Sequence, residues 1–138
     1  MATTKSISNL EQFYQYVQEA GSLRTPQHAR RWSEATLKTL ALNLDRGTKK
    51  ALAHALPSEL ADALLRIFWL AHFRDQHLPV LKFQKQVANR SGATDAQFAR
   101  KPVSAVFHGL KALVNDDGLR QRVAQALSPE VRHLWEEA

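Results

Sequence analysis

Residues 52–60 read Leu52-Ala53-His54-Ala55-Leu56-Pro57-Ser58-Glu59-Leu60, and residues 123–131 read Val123-Ala124-Gln125-Ala126-Leu127-Ser128-Pro129-Glu130-Val131. Both stretches hold a short apolar helix pattern, a proline break, and an acid that restarts the chain. They lie seventy-one residues apart, and moving outward from them lengthens the match. Asp45 falls on Asp116 and Gly47 on Gly118 at the same shift. At a shift of seventy, Phe13 falls on Phe83, Val17 on Val87, Gln27 on Gln97 and Ala29 on Ala99. Arg30 then meets Arg100, Ala35 meets Ala105 and Leu40 meets Leu110. Gly21 meets Gly92 at the longer shift, which implies that the first loop differs by a residue. The matches fall on apolar and turn positions, so the chain reads as a tandem duplication.

Each repeat carries the same punctuation. Leu10, Phe13, Tyr14 and Val17 stand at helical spacing, and Gly21 ends that helix as a left-handed cap. Thr25-Pro26 offers an N-cap and a first-turn proline for a helix with Ala29, Trp32, Leu37, Leu40 and Leu44 along one side. A turn at Asn43–Gly47, a short helix with Leu52 and Leu56, and a longer helix after Pro57 complete the unit. In the second unit the helix over Lys82–Arg90 ends at Gly92, Thr94-Asp95 opens the next, and Ser128-Pro129-Glu130 starts the last. No alternating β-branched run exists. The predicted fold is all-α: two tandem units of about four helices, related by a pseudo-twofold duplication and packed into one compact helical bundle. The expected boundaries are a flexible N-terminus over 1–8, a first repeat over 9–77 and a second over 78–138, forming one structural domain.

Two places break the repeat. Pro102 stands where the first unit has Trp32, which predicts a kink or a helix ending before Lys101-Pro102. The segment Leu60–Phe73 is apolar all round, through Leu60, Leu64, Ile67, Phe68, Leu65, Trp69 and Phe73. Such a helix is expected to be buried on all sides, as the central element joining both units.

Composition narrows the chemistry. The chain has 138 residues, 44% hydrophobic and 23% charged, a globular balance. There is no cysteine, which excludes disulfides, thiolate metal sites and cysteine nucleophiles. Met1–Gln12 has no apolar core of a signal peptide, and Leu60–Phe73 is too short to span a bilayer. A cytoplasmic protein is the expectation, with no membrane partner. No histidine pair has the i, i+3 or i, i+4 spacing of a helical metal site, and no HExxH, GxSxG, GxGxxG or P-loop pattern occurs. No catalytic residue, metal or cofactor is therefore assigned. The net charge is +6, spread evenly over the two halves. Arg30-Arg31 and Arg100-Lys101 hold equivalent places, a duplicated basic site that could contact two phosphate stretches.

The unit reads Phe-x3-Val, Gly, an Ala-Arg helix leading to Leu37-x2-Leu40-x3-Leu44, a turn, then Leu52-Ala53-x-Ala55-Leu56-Pro57-x-Glu59-Leu60. Repeated once, over roughly residues 9–137, this resembles a family of small bacterial proteins known as domain of unknown function 2267. The resemblance implies a duplicated all-helical, cytosolic protein and brings no catalytic residues. The second unit departs from the pattern in moving the proline by one position and in Pro102.

These features are repeats, caps and apolar stripes. They point to a non-enzymatic helical interaction module that binds a protein partner or itself, with Leu65, Trp69 and Phe73 as the apolar contact. One alternative is a nucleic-acid or polyanion binder using Arg30, Arg31, Arg100 and Lys101. Another is a small-ligand carrier or enzyme with a pocket between the repeats.

Overall fold

The computed structural model describes residues 7–66 and 75–138. Among them are eight helices and no strand: α1 (Leu10–Ala20), α2 (Pro26–Leu42), α3 (Arg46–Ala55), α4 (Ser58–Leu65), α5 (Val80–Ser91), α6 (Arg100–Leu113), α7 (Asp117–Ala126) and α8 (Pro129–Glu137).

Local chemistry explains the helix starts. Asn9 caps α1 by accepting the Gln12 N–H, and the Gln12 side chain reaches back to the Ser8 N–H. Thr25 caps α2, Asp45 caps α3, Asp116 caps α7 and Ser128 caps α8, each through its side-chain oxygen. The Asp45 and Asp116 caps bond the N–H groups of Thr48 and Leu119, both at 3.1 Å. Ile7, which the sequence places in the N-terminal tail, is buried in the core.

The end of α1 differs from its expected form. Gly21 is right-handed at φ −83°, and the left-handed residue is Ser22, at φ 57°. The Leu23 N–H bonds the Gln18 carbonyl and the Ser22 N–H bonds that of Glu19. After α5 the same pair of bonds runs from Ala93 to Ala88 and from Gly92 to Asn89, with Gly92 at φ 88°. This is the Schellman closure in both places. It keeps Ser22 on Gly92 at the seventy-residue shift, so the identity of Gly21 with Gly92 does not mark a structural equivalence.

Pro102 also corrects its expectation. It neither kinks α6 nor ends a helix. Asp95 Oδ1 accepts the N–H groups of Gln97 and Phe98 in a turn, and α6 then starts at Arg100. The proline thus lies in the first turn, where its missing N–H is an orphan in any case. A continuous helix like α2 is blocked here because the ring would meet the carbonyl four residues back.

The packing is reciprocal. α1 lies on α6 and α5 lies on α2, while α2 meets α6 and α3 meets α7. The last helix of each half, α4 or α8, covers its own second and third helices. Phe13, Phe83, Val17 and Val87 are all fully buried. α2 is the central element, in contact with α1, α4, α5 and α6. The all-round burial expected for Leu60–Phe73 does not hold at its start: Leu60, Ala63 and Leu64 are buried, but Leu65 is 52% exposed and α4 closes at Arg66. Ile67–Phe73 lies outside the described residues.

A missing side chain sets how near α1 lies to α6. A Cβ on Gly109 in α6 would stand 2.6 Å from Cδ1 of Phe13, a ring with no exposed surface. Gly109→Ala raises helix propensity by about 1 kcal/mol, but the collision should reverse that sign and leave a net loss of about 1–3 kcal/mol. Urea denaturation checks this. Phe13→Leu in the same chain should relieve part of the clash, so the double variant should lose less than the two singles together.

Candidate functional site

The duplicated arginines are positioned by the N-terminal turns of α2 and α6. Arg30 Nη1 lies 3.6 Å from Glu59 Oε1, and its guanidinium carbon sits 5.3 Å from the Tyr14 ring centre. The Tyr14 hydroxyl donates to the same Glu59 oxygen at 2.8 Å. Tyr14 and Arg30, with Leu10, Glu11 and Pro26, line a cleft of about 350 Å³. In the second half, Arg100 Nη2 lies 3.7 Å from Glu137 Oε1, which also serves His133 through its other oxygen at 3.1 Å. Val80, Arg100, Glu130 and His133 line a matching cleft of about 400 Å³. Each arginine therefore faces a carboxylate of its own half's last helix. Both pairs are exposed, where such contacts contribute little. A phosphate at Arg30 or Arg100 would still have to displace that carboxylate.

Arg31 and Lys101 are the next residues along, about 100° round their helices. Both are exposed. Lys101 lines none of the clefts described here, whereas Arg31 lines a separate one of about 540 Å³. Arg24 and His28 join Arg31 there: His28 stands one turn before Arg31 on α2, and Arg24 lies in the bend that precedes the helix. Trp32 and Phe98 form the apolar wall, with ring centres 5.7 Å apart at 59°. Ser22 from the first Schellman loop and Gly92 and Ala93 from the second complete the lining. The site thus lies where the two halves meet, and no carboxylate is among its described lining residues. The Thr25 hydroxyl oxygen accepts the His28 backbone N–H at 3.1 Å and lies 3.2 Å from Nδ1. That threonine is occupied as a helix cap, not as an activated nucleophile.

Sequence reasoning thus named one residue of this cleft, Arg31, and missed Arg24, His28 and Phe98. His28 and Arg31 stand one turn apart on α2, a spacing legible in the sequence, whereas the bend before the Thr25 cap brings Arg24 beside them. Phe98 comes from the other half, so no local pattern places it there. Trp69 and Phe73 lie outside the described residues. A fourth hollow, about 530 Å³, opens between α3 and α7 near His54, Asp116 and Arg122. No group of three His, Asp or Glu side chains that could hold a metal is found among the described residues. No helix among them is long and apolar enough to cross a membrane.

Burial and the Glu59 hydrogen bond push the Tyr14 phenol well above its ordinary value of 10.0. Burial raises Tyr16 as well. A phenol that keeps its proton longer in the fold adds stability that is whole below pH 10. That stability is lost as the pH climbs toward the folded value. Tyr14→Phe should cost about 0.5–1.5 kcal/mol at neutral pH. It should also flatten the decline in stability above pH 10, measured by urea midpoints across the alkaline range. The wild-type absorbance titration at 295 nm should show both tyrosines ionising late.

A search of the curated proteins found no match. The family model described as Uncharacterized conserved protein (DUF2267) matches residues 10–134. That span holds nearly all of the eight-helix fold, both arginine clefts and the basic cleft between them, and on it the chain belongs to the DUF2267 family.

Proposed function

We propose that this chain is a non-enzymatic helical interaction module, cytoplasmic and bacterial, which binds a protein partner or a second copy of itself. In this reading it arose by tandem duplication, with repeats over 9–77 and 78–138 sharing one core. The observation that carries it is the exposure of Leu65 and Leu81, at 52% and 53%. They stand at the end of α4 and the start of α5, on either side of the junction between the repeats. Between them the sequence runs Ile67-Phe68-Trp69-Leu70-Ala71-His72-Phe73, the richest apolar stretch of the chain. Leu65, Trp69 and Phe73 are the contact residues of this proposal. Large apolar groups left exposed favour a partner that covers them, at roughly 25 cal/mol per Å².

Leu65→Glu tests this. The side chain is exposed, so folding stability should change by less than about 0.5 kcal/mol. Light scattering after size exclusion should show wild-type association at micromolar concentrations and a monomer for the variant. A wild type that stays monomeric at every concentration removes the self-association version.

A further inference from the structure

We propose that the cleft between the two first loops binds a nucleotide unit, with the phosphate on Arg24 and Arg31 and the base on the exposed face of Phe98. This does not rest on the apolar-surface reading; it stands on a different part of the molecule.

Three observations converge on this. Arg24, from the bend before α2, and His28 and Arg31, from the helix itself, line one hollow whose described lining holds no carboxylate. Arg30 and Arg100, by contrast, already face Glu59 and Glu137. The α2 N-terminus opens beside these groups and adds its own partial positive charge. An anion is the complement of such a surface, and a chain of net charge +6 draws polyanions from a distance.

The aromatic wall narrows the choice. Phe98 is 45% exposed although Trp32, which backs it, is 95% enclosed. A phenyl face held in place by an indole and flanked by guanidiniums suits a planar ring that carries an anionic group. Aromatic stacking beside cationic backbone contacts is how single strands are held without sequence readout. A Cβ on Gly92 would meet nothing within 4 Å, so the mouth of the hollow is open at that end. The volume, about 540 Å³, admits a nucleoside with its phosphate. An acidic peptide would satisfy the guanidiniums but has no general use for the phenyl face, so the nucleotide is favoured.

The probes are a fluorescein-labelled single-stranded dT10, its RNA counterpart U10, AMP, and a hexaglutamate peptide, followed by anisotropy or competition from 20 to 200 mM salt. The labelled strands should bind at 20 mM salt and weaken steeply as salt rises. Arg24→Ala and Arg31→Ala should each weaken binding and flatten the salt slope by about 0.7. Phe98→Ala should weaken it roughly tenfold with the slope unchanged. Phe98→Tyr should restore it, which separates stacking from a packing defect. Lys101→Ala, outside the cleft, should act less than Arg31→Ala. Displacement by AMP at micromolar concentration would identify a free nucleotide as the ligand. Binding of the strands alone would identify a single-stranded nucleic acid. The proposal is overturned by no binding of any nucleotide probe at 20 mM salt. Binding indifferent to Arg24, Arg31 and Phe98 also overturns it, as does hexaglutamate competing as well as AMP or a strand.

Discussion

The ring of Phe13 lies against the backbone of α6 because Gly109 has no side chain there. The seating of α1 on α6 depends on that close approach, and the crossing of the two halves depends on that seating. α1 belongs to the first half of the sequence but packs on the second half's α6, while α5 packs on the first half's α2. Each half therefore supplies a helix that the other needs. Neither α2 nor α6 could cover its apolar side from its own half alone. The core is single because the two halves are interleaved, not because two finished bundles touch.

That interleaving also explains the central place of α2. Its buried side includes Ser33, Thr36 and Thr39 beside Ala29, Trp32, Leu37 and Leu40. The threonine hydroxyls are satisfied within the helix, Thr36 by the Trp32 carbonyl and Thr39 by that of Ala35. Thr39 also accepts from Arg90 on α5 at 3.1 Å, tying the two halves by a polar contact inside an apolar seam. Threonines bonded to their own helix let helices come close at little polar cost, whereas the buried Ser33 hydroxyl finds no hydrogen-bond partner among the described residues.

Much of the fold was legible because helix starts and stops are local chemistry. Asp45, Asp116, Thr25 and Ser128 act as caps within three residues of the groups they bond. The paired phenylalanines could be read as core from their recurrence alone. The central helix was misplaced because hydropathy ranks Leu60–Phe73 above α2. Hydropathy cannot see that buried threonines bond their own helix. The proline at 102 was misread because its effect depends on where the helix begins, and a side-chain turn at Asp95 sets that. The site was less legible still. Twin arginines suggested a twin site, but a carboxylate on a distant helix faces each of Arg30 and Arg100. Arg24 and Arg31, with no carboxylate in the described lining of their cleft, are grouped instead by the fold, with an aromatic ring brought from the other half.

Interleaving has a consequence for the ribosome. Phe13 emerges about a hundred residues before its seat at Gly109. At ordinary elongation rates that interval is roughly 5–20 s. Throughout it, the side of α1 that belongs on α6 must wait without its final cover, although α2 can already pack beside it, and the waiting strip is a ready client for chaperones that hold nascent chains.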